Sequence, residues 1–189
     1  MGKVIIHLHM SLDQVVSDPE NWMVEFSDDV LKAAMDYYDT LDTVIFGSNT
    51  YPGLAEYWQT AGQHTTFTVE QDFAVRINEI PKRVLSRSAP ELNWQNSTWL
   101  EFRDTSSFLE EIGALKADCR RNISVESGLG VWKLFLDLDL FDELLLYIHP
   151  VLAVHGETFF ENICNKIQLH LENTRTFKNG IVELHYTRI

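Results

Sequence analysis

The hydrophobic and polar positions of this chain follow two periods, one typical of buried strands and the other of amphipathic helices. Residues 3–10 form an apolar run rich in β-branched side chains, and the turn-like segment 17–20 follows them. This pattern predicts a buried first strand. Ser27 and the two aspartates after it suit the N-cap and the positive dipole end of a helix. Apolar residues at helical spacing then continue to Tyr38, which predicts a first helix.

The same alternation continues along the rest of the chain. Further strands are predicted at 43–46, 82–86, 98–102, 122–125 and 142–149, and further helices from 48, over 68–80, from 104 to 116 and over 131–138. The last segments, 166–177 and 181–187, alternate apolar and polar residues around an Asn-Gly turn, which predicts an antiparallel hairpin. The order predicts a three-layer α/β/α fold whose mixed sheet is mostly parallel with an antiparallel C-terminal edge.

Length, charge and cysteine content narrow the functions that this fold could have. The 189 residues, 45% of them hydrophobic, suit one domain over 1–189. A net charge of −13, with Arg120-Arg121 as the main basic cluster, disfavours nucleic acid as a partner. No apolar run approaches the roughly 20 residues of a membrane span. Without a recognisable signal peptide, Cys119 and Cys164 are interpreted as buried thiols of a cytoplasmic protein.

Three junctions, each at the carboxyl end of a predicted strand, could bind phosphate. No glycine-rich dinucleotide fingerprint follows the first strand, where residues 11–14 read Ser-Leu-Asp-Gln. The three junctions are Gly47, Ser48, Asn49 and Thr50; Ser86 and Arg87; and Ser127, Gly128, Leu129 and Gly130. Ligands of open α/β sheets gather outside the carboxyl ends of the strands, so we expect the three junctions to lie together.

Each junction has a chemical interpretation and a structural alternative. The first and third combine glycine and hydroxyl groups with the free N–H groups of a following helix, which can bind a pyrophosphate. Their alternatives are an ordinary N-cap and a tight turn. Arg87 beside the Ser86 hydroxyl suits the additional ribose phosphate that distinguishes NADP from NAD. Its alternative is a solvated loop cation.

The order and spacing of several short segments resemble a known family. These segments are 11–13, 47–51, 82–87, 127–130, 140–144, 150–160 and 177–186. Together they resemble the dihydrofolate-reductase-like proteins, and in particular the branch related to the C-terminal reductase domain of the bacterial riboflavin-synthesis enzyme RibD. Segment 150–160 looks like the P-x-x-x-G-x-G-x-x-x-F segment of that branch, and 177–186 looks like its closing hairpin. The resemblance covers essentially the whole chain.

The resemblance implies a homodimeric reductase that transfers a hydride from NADPH to a flat, pterin-like or pyrimidine-like heterocycle. It implies that the first junction holds the pyrophosphate, that Ser86 and Arg87 hold the adenosine-side phosphate, and that 127–130 form a glycine-rich turn against the cofactor. The residues implied beside the nicotinamide are His9, Ser11, Leu12 and Asp13. Trp22 would lie over the substrate, and Asp28 or Asp29 would be the carboxylate that binds it and assists protonation. Helix capping is the alternative for both aspartates.

Departures from the family pattern keep a second function open. Gln14, Ser127 and Val154 stand where glycine is usual, and Glu126 precedes Ser127. An acidic side chain that pointed at a pyrophosphate would repel it. The second hypothesis is therefore a ligand-binding or homodimeric interaction module that keeps the fold but has lost efficient cofactor binding.

Two histidines of the first strand complete the set of candidate residues. His7 and His9 are two positions apart, so they share one face of the strand. No third ligand is evident in the sequence, so we expect histidines that face the cleft rather than a metal site.

Overall fold

The fold was analysed in a computed structural model that describes residues 2–64, 68–161, 163 and 166–189, with only the backbone described at 63 and 64. The strands are β1 (Val4–Ser11), β2 (Leu41–Gly47), β3 (Lys82–Ser86), β4 (Ser97–Glu101), β5 (Asn122–Val125), β6 (Glu143–His149), β7 (Leu169–Thr176) and β8 (Val182–Arg188). The helices are α1 (Asp28–Tyr38), α2 (Tyr51–His64), α3 (Thr68–Glu79), α4 (Thr105–Asp118) and α5 (Leu129–Asp137), with a short 3₁₀ helix at Pro19–Asn21. None of the helices in the described ranges has the length and apolarity to cross a membrane.

The eight strands form one sheet in the order β4-β3-β2-β5-β1-β6-β8-β7. The strands from β4 to β6 pair in parallel. Strands β8 and β7 then close the sheet as an antiparallel hairpin. The predicted α/β class, with a mostly parallel sheet and an antiparallel C-terminal edge, is confirmed.

Helices cover both faces of this sheet, because the side chains of each strand alternate between the two faces. On one face, Val4, Ile6 and Leu8 of β1 pack in a core with residues of α4 and α5. On the other face, Ile5 packs with α1, and residues of β2 pack with α2 and α3. Burial of apolar area on both faces stabilises the sheet by roughly 25 cal/mol per Å².

The ends of several elements differ from the predicted ones for local reasons. Helix α2 begins at Tyr51 rather than at Ser48, because the Ser48 N–H donates to Leu85 O and the chain first makes a turn. Helix α5 begins at Leu129, two residues before the predicted start. The predicted cap of α4 is present: Asp104 Oδ1 accepts from the Ser107 N–H at 2.9 Å. The final hairpin turns at Gly180, whose φ of 86° favours glycine.

Two of the residues that stand where the resemblance predicts glycine have a positive φ. Gln14 has a φ of 71° and Val154 a φ of 69°. Valine is β-branched, so this left-handed conformation is strained. Hydrogen bonds hold the strained segment in place, because the Asp13 carboxylate accepts from the Ala153 and Val154 N–H groups at 3.0 and 2.8 Å. The surrounding structure therefore imposes a conformation that glycine would adopt without strain.

Replacing Val154 by glycine should stabilise the protein. The left-handed strain costs about 1–2 kcal/mol for a non-glycine residue, and glycine loses about 0.5–1 kcal/mol through its unfolded-state entropy. The Val154 side chain is 70% exposed, so little burial is lost. We expect the free energy of unfolding to rise by about 1 kcal/mol in V154G, measured by urea denaturation. The matched control is V151G, at negative φ in the same loop, which should be destabilised; equal losses in both variants would contradict the strain.

Candidate functional site

The junctions that follow five parallel strands lie in a row along one edge of the sheet. Strands β3, β2, β5, β1 and β6 are consecutive neighbours and run in the same direction. Their carboxyl ends therefore meet at this edge, where open α/β sheets bind ligands. The row starts at Arg87 after β3 and ends at His149, the last residue of β6.

A cleft of about 800 Å³ opens at the first three of these strand ends. Its lining includes every residue of the three predicted junctions: Gly47, Ser48, Asn49, Thr50, Ser86, Arg87, Ser127, Gly128, Leu129 and Gly130. Leu85, Phe102, Val131, Lys133, Leu134 and Glu157 complete the lining. The fold thus brings together three segments that are far apart in the sequence.

Two walls of the cleft are joined through the side chain of Ser127. The buried Gly47 N–H donates to Ser127 Oγ at 2.8 Å. A Cβ atom at position 47 would lie 2.6 Å from this oxygen and 2.9 Å from Val131 Cγ2. Only glycine therefore fits at position 47. The Ser127 hydroxyl accepts from the Gly47 N–H, which would otherwise be buried without an acceptor.

The cleft has the features that a dinucleotide phosphate group requires. Helix α5 begins in its wall, and the first N–H groups of a helix have no acceptor within it. The Arg87 and Lys133 side chains also line the cleft. No carboxylate lies within 4 Å of either cation in the described ranges, so both charges are available to an anion. Glu157 is a carboxylate in the same lining. The donors present fit a pyrophosphate and a further phosphate.

The residues after β1 lie outside the lining of this cleft and bind a neighbouring loop. Asp13 accepts from Ser11 Oγ at 2.6 Å as well as from the two amides of the 150–154 segment. The Ser11 hydroxyl and these amides lower the pKa of Asp13 to about 2. Leu12 is 61% exposed, and its N–H donates to Val151 O. The polar groups of Ser11 and Asp13 are therefore engaged in holding the loop.

On the α1 face of the sheet, His9 and His149 form a hydrogen-bonded pair of imidazoles. His9 Nδ1 lies 2.9 Å from His149 Nε2. The His9 ring stacks on Tyr147 at a centroid distance of 4.7 Å. Trp22 is buried, and its ring packs edge-on against His149 at 5.4 Å. Burial lowers the pKa of His149 to about 4 and that of His9 well below its ordinary value.

Glu126 points away from the cleft, into a polar cluster on the α1 face. It accepts hydrogen bonds from the Tyr38 hydroxyl at 2.7 Å and from Ser124 Oγ at 2.8 Å. His7 Nδ1 lies 3.1 Å from its Oε1, although neither ring nitrogen of His7 has a hydrogen bond of good geometry among the described residues. Burial raises the pKa of Glu126, but His7, Tyr38 and Ser124 together lower it by more. The pKa of Glu126 therefore lies below its ordinary value. Its charge therefore does not face a ligand in the cleft.

The two aspartates of α1 occupy different surroundings. Asp28 is exposed. Asp29 accepts from Ser27 Oγ at 2.5 Å and from the Lys178 N–H at 3.1 Å, so it joins the start of α1 to the closing hairpin. The Ser27 hydroxyl is the main cause of the lowered pKa of Asp29. Ser27 is the N-cap residue of α1, as predicted, but its side chain makes no capping hydrogen bond and donates to Asp29 instead.

Sequence reasoning missed several residues of this region. Lys133 lies one turn into α5, and its position in the cleft could have been inferred from the glycine junction before it. His149 ends β6 and obeys the same strand-end rule as the other junctions. Glu157 and Phe102 reach the cleft from loops, and no local sequence signal marks them.

A second cavity, of about 620 Å³, lies between α2, α3 and the loop before β4. Its lining is mainly apolar and amide, and its central amide is already engaged. Asn78 Oδ1 accepts from Trp94 Nε1 at 2.6 Å, and Asn78 Nδ2 donates to Trp58 O and Ala74 O. None of the predicted site residues lines it, so the cleft at the strand ends is the better candidate.

Comparison with known proteins supports the resemblance. The model of the RibD C-terminal domain family matches residues 2–183. The chain is 26% identical over 187 residues to the uncharacterized protein YyaP of Bacillus subtilis, with 97% of this chain and 94% of that protein covered. Its fold is similar to that of a putative riboflavin biosynthesis protein from Shewanella sp. PV-4, with a TM-score of 0.71, 16% identity and 99% of each chain covered.

A further structural similarity concerns a dihydrofolate reductase. The enzyme from Enterococcus faecalis, solved as a complex with NADP(H) and RAB-propyl, superposes with a TM-score of 0.63 at 14% identity. The superposition covers 99% of this chain and 96% of that one. The dihydrofolate-reductase-like fold implied by the sequence is therefore confirmed.

Removing the Ser127 hydroxyl should destabilise the fold. In S127A the Gly47 N–H stays buried without an acceptor, which costs about 1–3 kcal/mol. We expect the free energy of unfolding to fall by this amount in urea denaturation. S48A is the matched control, because the partly exposed Ser48 hydroxyl makes no hydrogen bond in the described ranges, and its loss should cost under about 0.5 kcal/mol. If S127A were as stable as S48A, the bond would have no structural role.

Proposed function

Because this chain belongs to the RibD C-terminal domain family, we propose that it is an NADPH-dependent reductase that transfers a hydride to a pterin-like or pyrimidine-like heterocycle. The observation that carries the proposal is the single cleft formed by the three junctions. Residues 1–189 would act as one catalytic domain. The family and fold support an oxidoreductase; the cofactor and the substrate class are the proposed part.

Each wall of the cleft would hold a different part of the cofactor. Residues 47–50 and 127–130 would bind the pyrophosphate through backbone N–H groups and hydroxyls. Ser86 and Arg87 would bind the adenosine-side phosphate, with Lys133 as a second cation. When bound, NADPH supplies the hydride. The charge of Glu126 does not oppose this, because the carboxylate is bonded to Tyr38 and Ser124 on the other side of the strand end.

The substrate would bind on the α1 side, beside the end of β1. His9 and the segment 11–13 would flank the nicotinamide, and Trp22 would contact the heterocycle. Asp28 or Asp29 is the carboxylate that the resemblance proposes for binding and protonation. Asp29 already has two hydrogen-bond donors, whereas Asp28 is exposed.

A second function, a binding module without efficient cofactor use, is favoured by one specific contact. Ser127 Oγ accepts from the Gly47 N–H, so this amide does not donate to a phosphate in the cleft. Glu157 adds a negative charge to the cleft. This module would bind a ligand or a second copy of the chain but would not reduce a substrate.

We propose the cytoplasm as the compartment, and a small molecule rather than nucleic acid or membrane as the partner. The Cys119 thiol is free and partly buried, rather than buried as predicted, and Cys164 lies outside the described residues. Free thiols persist in reducing compartments. At the basic pair Arg120-Arg121, both backbone N–H groups donate to Asp42 and the Arg121 guanidinium donates to Asp39 O.

We also propose that two copies associate as a homodimer. Strand β7 forms one edge of the sheet and is exposed along nearly its whole length, and Leu171 on it is 43% exposed. An unpaired edge of this kind favours association with another chain. Sedimentation equilibrium should give twice the chain mass of 21.9 kDa at micromolar concentration. A mass of one chain at this concentration would contradict the dimer.

Titration with NADPH and NADH, followed by nicotinamide fluorescence, tests the cofactor. We expect micromolar binding of NADPH and weaker binding of NADH. R87A should weaken NADPH binding about 10- to 100-fold, since one charge-assisted contact contributes about 1.5–3 kcal/mol. NADH binding should change little in R87A, because NADH lacks the additional phosphate.

The control for this titration is R103A. Arg103 is also an exposed arginine, but it pairs with Glu101 outside the cleft, so its removal should leave the affinity for NADPH unchanged. Absence of binding by both dinucleotides would reject the reductase and favour the binding module. Equal losses in R87A and R103A would reject the specific role of Arg87.

A further inference from the structure

The paired histidines of the α1 face lie outside the lining of the cleft. His9 lies near the end of β1 and His149 at the end of β6, two strands that pair in parallel. Their ring nitrogens lie 2.9 Å apart although the residues are 140 positions apart in the chain. Both side chains are held by other groups: His9 stacks on Tyr147, and Trp22 packs against His149.

The backbone of Val24 fixes the positions of the protons in this pair. The Val24 N–H lies 3.2 Å from His149 Nδ1, and a backbone N–H can only donate. His149 Nδ1 is therefore the acceptor and carries no proton. The His149 proton lies on Nε2 and is donated to His9 Nδ1. It follows that His9 carries its own proton on Nε2.

The N–H group at His9 Nε2 is available to a ligand. It has no hydrogen-bond partner among the described residues and, unlike the ring nitrogens of His7, it is not fully buried. Phe26 and Tyr37 on the same face are also only partly buried. Phe26 lies against the His9 ring at a centroid distance of 5.1 Å. The donor is thus oriented by aromatic rings and is not completely enclosed by the described residues.

Burial favours the uncharged form of both rings at neutral pH. Burial lowers the pKa of both rings, and the proximity of His7 and His149 lowers that of His9 further. The Glu126 carboxylate on this face is bonded to Tyr38 and Ser124 instead of to the pair. A neutral imidazole with its proton fixed at one nitrogen is a hydrogen-bond donor of defined direction.

The site also lies next to the cleft. Strand β1 is the neighbour of β5, and the residue after Glu126 is Ser127 in the cleft wall. Glu126 and Ser127 face opposite sides of the same strand end. A heterocycle on the α1 side would therefore be adjacent to a cofactor in the cleft.

We infer that His9 is a substrate-binding residue whose Nε2–H donates to an acceptor atom of the heterocycle, a carbonyl oxygen or an imine-type ring nitrogen, and that His149 is the positioning residue that fixes this donor. The inference rests on the proposed reductase function, which it deepens by naming the recognised edge of the substrate. A carboxylate at such a place would instead select the N–H edge of an aminopyrimidine. The two alternatives differ in which edge of a flat ring is bound.

The first measurement is the tautomer of both rings by ¹⁵N NMR at pH 7. We expect neutral imidazoles with the proton on Nε2 in both. In H149Q the side-chain amide can still donate to His9 Nδ1, so the His9 tautomer should be retained. In H149L the donor is lost, and His9 should become a mixture of tautomers. A charged pair, an Nδ1-protonated His9, or an unchanged His9 signal in H149L would overturn the positioning role.

The second measurement compares two flat probes by NMR titration, with and without NADP⁺. Quinoxaline presents only ring-nitrogen acceptors, whereas protonated 2,4-diaminoquinazoline presents a donor edge. We expect quinoxaline to shift the His9 Nε2–H signal and to bind about 5- to 10-fold more weakly to H9F, which lacks this hydrogen bond. The control is H170F, which alters an exposed histidine on β7.

Three results would overturn the substrate-binding role. Quinoxaline could bind equally well to H9F, it could fail to bind at all, or diaminoquinazoline could bind more tightly and lose affinity in D28N but not in H9F. The last result would assign recognition to the carboxylate. If quinoxaline binding depends on His9 while NADPH does not bind, the reductase fails and the donor site stands. If NADPH binding depends on Arg87 while the affinity for quinoxaline is the same in H9F and the wild type, only the donor role of His9 is rejected.

Discussion

The pleat of β1 is the constraint on which the rest of the structure depends. This strand is hydrogen-bonded on both edges, to β5 and to β6, so its register cannot slip without breaking both ladders. Its even-numbered residues, such as Ile6 and Leu8, enter the core under α4 and α5. Its odd-numbered residues therefore face α1, and His7 and His9 are among them. The same alternation that builds the core also places two imidazoles beside the end of β6.

A second consequence of the sheet is that the cleft is built from segments that are held to one another. Gly47 after β2 and Ser127 after β5 are joined by one hydrogen bond, and the space at Gly47 excludes any side chain. The Ser127 hydroxyl thus has a structural effect, because it joins two walls of the cleft. The Gly47 N–H is engaged by this bond and is therefore not among the groups that could bind a phosphate. The reductase and the binding module differ in whether the remaining N–H donors and the two cations are sufficient to bind the phosphates of NADPH.

The sequence predicted those features that are local. The three junctions were found because glycine, hydroxyl residues and a strand end are adjacent in the chain, and the sheet class followed from hydrophobic period. The direction of Glu126 was not predictable, because it depends on how β5 ends against Tyr38 and Ser124. The partner of His9 was not predictable either, because His149 meets it only through the pairing of β1 with β6. The role of Asp13 in binding residues 153 and 154 was not predictable for the same reason, because these residues are distant in the sequence and meet only in the folded protein.

The charged groups of the site lie on different sides of the strand ends, because neighbouring residues of each strand face opposite sides of the sheet. Arg87 and Lys133, which have no carboxylate within 4 Å among the described residues, lie on the cleft side of the strand ends, where the proposed cofactor phosphates would bind. On the α1 side, Glu126 is bonded to hydroxyl groups and the imidazole pair is neutral. A chain with a net charge of −13 thus places available positive charge where an anion needs it. At the imidazole pair, the α1 side offers a hydrogen-bond donor of fixed direction rather than a charge, and this is the group to which the proposed substrate acceptor would bind.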